Sequence, residues 1–117
     1  MQFLIIAYEN EDDFERRKDA KGFRAYMDPW YDYSGALSNA NILQGGQALE
    51  DPQTATCVSL KDGQRLVQDG PFIDTKEQIG GFFLIDVESV DVACEWAAKC
   101  PAAKTGFVEV RPVPTYS

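Results

Sequence analysis

Asp69, Lys76, Glu109, Arg111 and Tyr8 are the side chains whose types and spacing suit chemistry. Glu109 and Arg111 stand two apart in FVEVR (107–111), so an extended strand points both to one face. There, opposite charges either pair as structure or hold a polar ligand. Asp69 directly precedes Gly70 and Pro71, a turn that sets its carboxylate at the mouth of a pocket. As a general base it needs a substrate proton within hydrogen-bond reach and a pKa raised toward neutrality. The same position suits a turn former whose side chain bonds nearby backbone amides. Lys76 is either a pocket cation or a solvated charge. Tyr8 ends a strand, where its phenol reaches the same mouth or bonds a backbone carbonyl.

Other chemistry is excluded. The chain contains no histidine, which removes imidazole acid–base catalysis and His ligation of metal or haem. Cys57, Cys94 and Cys100 have neither CxxC spacing nor an even count, and read as small buried hydrophobes. No metal and no cofactor are expected. Gly80–Gly81 lacks the GxGxxG or GxxxxGK context of a phosphate loop. A net charge of −8 disfavours nucleic acid and anionic lipid as partners. Apolar runs fall short of the roughly 20 residues a membrane helix needs, and the first residues lack a signal-peptide pattern. A cytoplasmic protein is expected.

The elements that must position these residues fit one domain over 1–117. QFLIIAY (2–8) reads as a strand buried on both faces. The charged stretch ENEDDFERRKDAKG (9–22) reads as a solvated loop or frayed helical turn. Asp28 and Pro29 look like an N-cap and first helical residue. Trp30, Tyr33, Leu37 and Ala40 continue that helix, with a possible backward extension through Phe23 and Met27. Gly45 and Gly46 mark its exit loop. TATCVSL (54–60) and 65–68 form a hairpin about Lys61, Asp62 and Gly63. Residues 80–87 form the next strand. Ser89 caps a helix with an Ala93, Trp96, Ala97 and Cys100 stripe, Pro101 stops it, and 107–111 is the last strand.

Strand, helix, hairpin, strand, helix, strand favours an α+β, ferredoxin-like sandwich with both helices on one sheet face. Yet QFLIIAY and GFFLIDV carry apolar residues at odd and even positions alike. A sheet with one wet face would alternate. The second face needs a cover, and a second copy of the chain supplies it, giving a homodimer with its sheets back to back.

Residues 69–83 carry a resemblance. Asp69–Gly70–Pro71–Phe72, then Thr75–Lys76–Glu77–Gln78 and Gly80–Gly81–Phe82–Phe83, resemble the DGPF motif of the YCII-related (DGPF-domain) proteins. Gly46–Leu49, Pro52–Thr56, Trp96, Pro101, Gly106 and VEVRPV (108–113) extend the likeness over nearly the whole chain. It implies a dimeric α+β barrel of ferredoxin-like subunits and a bacterial source. Some relatives look enzymatic, and some occur beside or fused to extracytoplasmic-function sigma factors. A His and Asp acid–base pair proposed for some of the wider group has no histidine to carry it here.

Two functions follow as expectations. One is a small-molecule-binding protein or cofactor-free enzyme using a barrel cavity rimmed by Asp69, Lys76, Tyr8, Glu109 and Arg111. The other is a regulatory protein acting with a sigma factor or another transcription component.

Overall fold

A computed structural model describes residues 1–116. Strand β1 (Gln2–Asn10) places Phe3, Ile5, Ala7 and Glu9 on its buried, helix-covered face. It stops at Asn10, whose side chain accepts the Asp13 N–H while the Asp13 carboxylate accepts the Asn10 N–H. This reciprocal cap opens helix α1 (Glu11–Lys18), with acids in its first turn and bases in its last, as the helix dipole favours. The charged stretch is therefore an ordered helix, where sequence had suggested a loop or a frayed turn. Buried Phe14 anchors it to the core, because eight residues are too few to be helical unaided.

Helix α2 (Phe23–Asn39) begins before Asp28, and Pro29 lies inside it. Asp28 and Pro29 are thus not its cap. The proline costs one backbone bond to the carbonyl of Ala25, an exposed residue that water can reach. Buried Tyr33 and Leu37 hold the later turns to the sheet. Asn41, with φ of 60°, turns the chain into strand β2 (Leu43–Ala48). Gly45 and Gly46 lie within this strand and not in an exit loop. A β-carbon on Gly46 would sit 2.7 Å from the Phe82 carbonyl oxygen, so glycine permits the close pairing.

Strands β3 (Thr56–Lys61) and β4 (Gln64–Asp69) form the expected hairpin, with Asp62 and Gly63 both at positive φ in its turn. They make a separate two-stranded sheet. Strand β5 (Glu77–Asp86) starts earlier than the Gly80 expected. It is followed by helix α3 (Val90–Ala98), capped by Ser89, the short helix α4 (Ala102–Thr105), and strand β6 (Phe107–Pro112). The main sheet runs β2-β5-β1-β6 with all neighbours antiparallel. This is the ferredoxin-like order, with β2 taking the place that sequence had given to the hairpin.

The core lies between sheet and helices, built on Phe3, Ile5, Leu37, Ile85 and the small residues Ala93 and Ala97. Cys100 is buried in it, Cys57 is half-buried, and Cys94 is exposed, so the three cysteines are not all core residues. Tyr33 donates to the Trp96 carbonyl at 2.8 Å and meets Phe83 edge-on at 5.3 Å. Among the described residues no helix covers the opposite sheet face. Leu4, Ile6 and Tyr8 of β1 line it with Phe82 and Leu84 of β5 and Phe107, Glu109 and Arg111 of β6. The single chain is a thin slab of 48 × 46 × 19 Å with an open sheet.

Candidate functional site

Antiparallel pairing of β1 with β6 sets Tyr8 opposite Phe107, Ile6 opposite Glu109 and Leu4 opposite Arg111. Tyr8 stacks on Phe107 with ring centroids 4.4 Å apart. Its hydroxyl donates to Glu109 Oε1 at 2.9 Å, not to a backbone carbonyl. Arg111 Nε lies 3.5 Å from Glu109 Oε2. Burial raises the Tyr8 pKa, reinforced by the hydrogen bond to Glu109. The phenol therefore stays protonated and donating at neutral pH. In one chain the Glu109 and Arg111 side chains are 40% and 69% exposed, so the pair is a surface one. Among the described residues Arg111 makes no other ion pair, which leaves its terminal nitrogens free to take an oxyanion.

Asp69 is not beside this trio. It ends β4 opposite Thr56, exposed, and no hydrogen bond or ion pair among the described residues reaches its carboxylate. Gly70 follows at φ of 94° and donates its N–H to the Ala55 carbonyl, closing the hairpin base. Lys76 is also exposed, in the loop before β5, where it lines an open depression together with Glu11, Asp12 and Asp74. Thr75 and Gln78 hold that loop, through Thr75 Oγ1 to the Glu77 carbonyl at 2.7 Å and Gln78 Nε2 to the Ile73 carbonyl at 2.6 Å. Of the five residues singled out in the sequence, one chain brings Tyr8, Glu109 and Arg111 together and leaves Asp69 and Lys76 apart.

A second polar cluster lies on the helix-covered side. Glu9, 1% exposed, accepts hydrogen bonds from Tyr26 of α2 and from Arg17 of α1. Arg17 also donates to the Gly80 carbonyl at 2.9 Å and to the Leu49 carbonyl, and its guanidinium stacks 5.0 Å from the Phe14 ring. Burial raises the Glu9 pKa to about 7, outweighing the attraction of Arg17, and nearby Asp13 adds to the rise. Arg17 faces a cavity of about 220 Å³ whose walls include Met27, Trp30, Gly81 and Phe83. Sequence reading passed over this cluster. The available signal was Glu9 continuing the inward alternation of Phe3, Ile5 and Ala7, a carboxylate where an apolar residue belongs.

An open ferredoxin-like sheet, with a tyrosine, a carboxylate and a guanidinium at one end of its bare face, defines an α+β protein. The model of the YCII-related domain matches residues 1–116, and the chain belongs to that family. A curated relative, the uncharacterized protein R00369 of Rhizobium meliloti (strain 1021), is 48% identical over 56 residues, 46% of this chain and 45% of its own length. This match therefore spans about half of that relative. Among solved structures, 5-chloro-2-hydroxyhydroquinone dehydrochlorinase (TftG) from Burkholderia phenoliruptrix AC1100, in complex with 2,5-dihydroxybenzoquinone, is similar in fold. Its TM-score is 0.53 at 18% identity, covering 97% of this chain and 94% of that one. At that identity the likeness bears on the fold alone.

Proposed function

We propose that the protein is a homodimeric small-molecule-binding protein, of a kind able to act as a cofactor-free enzyme, whose site lies where two open sheet faces meet. The observation that carries this is the bare face itself: apolar Leu4, Ile6, Phe82 and Leu84 running into the hydrogen-bonded Tyr8–Glu109–Arg111 trio. An apolar floor with a few convergent polar groups is the usual make-up of a ligand site. The trio offers a protonated phenol and a guanidinium, which suits a compact ligand bearing a hydroxyl, carbonyl or carboxylate oxygen. That the fold neighbour was captured with a small oxygenated ring is consistent with such a ligand. A cytoplasmic setting belongs to the same proposal.

A thermal-shift screen of metabolites tests it, because a ligand that binds only the folded state raises the melting temperature by mass action. Light scattering at micromolar concentration should give twice the chain mass. A hit lost in Tyr8→Phe/Arg111→Met places the ligand on the open face. The Arg17 cavity is the second reading, favoured by the Glu9 carboxylate held near neutrality beside it. A hit that survives the double substitution and disappears in Arg17→Lys selects it. A monomer that binds nothing in the screen shifts the weight to the regulatory role.

A further inference from the structure

Building on the homodimer reading, we propose that the β3–β4 hairpin is an arm that lies on the partner copy. It brings Asp69 and the Gly70–Pro71–Phe72 segment to the rim of the partner's open sheet face, so that Asp69 meets Tyr8, Glu109 and Arg111 only between subunits. Among the described residues the hairpin is paired into no other sheet, and every residue of β4 is exposed. A lone two-stranded hairpin is marginal in water. This one also exposes large apolar groups. Val58, Leu60 and Val67 share one face, with Leu60 76% exposed, and Phe72 just beyond the hairpin is 86% exposed.

The dimensions measure how far the single chain departs from a compact globule. The Cα radius of gyration is 16.0 Å, where about 13 Å is expected for a compact chain of this length. The accessible surface is 8192 Å², about 1,800 Å² above the roughly 6,400 Å² expected for a compact 13.1 kDa monomer. Obligate homodimers bury about 1,000–2,500 Å² per subunit, so the excess matches one such interface. The same chain carries the complementary vacancy, the bare apolar sheet face. Twofold symmetry sets the two sheet faces together and lays each arm along the rim of the partner's face, so that both surfaces are covered at once.

Placement agrees. Strand β5 begins at Glu77 opposite Asn10, so the chain leaving the arm joins the sheet at the end where Tyr8 stands. With six residues per strand, the arm reaches about 20 Å, enough to cross onto a neighbouring sheet.

The test replaces Phe72 with the photo-crosslinker p-benzoylphenylalanine in a mixture of isotopically light and heavy chains. Expected are crosslinks joining light to heavy chains and mapping to β1, β5 or β6. In parallel, Val58→Ser/Leu60→Asn/Val67→Ser should raise the dimer dissociation constant about tenfold or more while far-ultraviolet circular dichroism stays unchanged. Crosslinks confined within chains, with the triple variant dimerising as tightly as wild type, would overturn the arm while leaving the dimer standing. A wild-type chain that stays monomeric at micromolar concentration would overturn both.

Discussion

The Glu9 carboxylate occupies the space that a β-carbon on Gly80 would need, with Arg17 Nη2 only 2.9 Å from the same point. Gly80 is the extra residue where the β1–β5 register shifts, between Ala7 opposite Gly81 and Tyr8 opposite Ile79. The bulge and the buried carboxylate are one feature: the strand gives way where the charged group enters. Gly80→Ala should therefore destabilise the fold by about 3 kcal/mol in urea unfolding, at the upper end for overpacking. Adding Glu9→Ala, which clears the space, should return part of that loss. Equal costs with and without Glu9 would mean the two residues do not compete for the site.

Arg17→Met leaves Glu9 facing only Tyr26 in the interior. Removing one partner of a buried pair costs about 3–5 kcal/mol because the remaining charge is uncompensated. The loss should be smaller at pH 5 than at pH 8, since a neutral Glu9 does not need the guanidinium. Chemical denaturation at both pH values measures the difference. A pH-independent cost would show that Arg17 acts through Phe14 and the Leu49 and Gly80 carbonyls and not through the Glu9 charge.

The Glu9 pKa of about 7 in the folded chain lies above its ordinary value of 4.5. Between those values the folded state binds the proton that the unfolded state has lost. The contribution is therefore fully present below pH 4.5 and declines as pH rises through about 7, on the order of 3 kcal/mol in total. The Asp51 carboxylate, whose pKa is lowered by hydrogen bonds from Lys18 and the Gln53 N–H, has the opposite sign but acts only at more acidic pH. Melting temperatures from pH 5 to 8 should fall in wild type and flatten in Glu9→Gln. A wild-type profile that rises over this range would refute the assignment.

Asn10→Ala removes half of the reciprocal cap that opens α1. A loss of about 1 kcal/mol is expected, typical for an N-cap. Because α1 carries Arg17, faster amide exchange at the Leu49 and Gly80 segments should accompany it. A stability loss with no change at those segments would separate the cap from the cluster.

Asp69→Asn should shift stability by no more than about 0.5 kcal/mol, since the carboxylate is exposed and unbonded among the described residues. A large loss that does not depend on protein concentration would restore Asp69 as a turn former, whereas a concentration-dependent one would report its contact with the partner subunit. Urea titration decides between them.

The sequence by itself determined what depends on local pattern. The apolar run at 2–8 and nearly all of that at 80–87 are strands, Ser89 caps a helix, though this ends at Ala98 and Pro101 opens the next one, and Asp62–Gly63 makes a hairpin turn. Each of these is decided by side-chain period or by backbone conformations available to particular residues. The two-sided apolarity of the central strands also placed apolar side chains on both sheet faces. Tertiary structure decided the rest. LQGGQA has almost no side-chain signal, and it becomes an edge strand only because β5 offers an open row of hydrogen-bonding groups. The hairpin, with the stronger pattern, is left outside the sheet because that edge is already filled. Pro29 stays within a helix because Tyr33 and Leu37 bury the turns that follow it. Glu9 and Arg17 read as solvated charges until β1, α1 and α2 converge and desolvate them against Gly80. Spacing along the chain cannot register that kind of meeting, because the energy that shifts a buried carboxylate belongs to its surroundings and not to its neighbours in sequence.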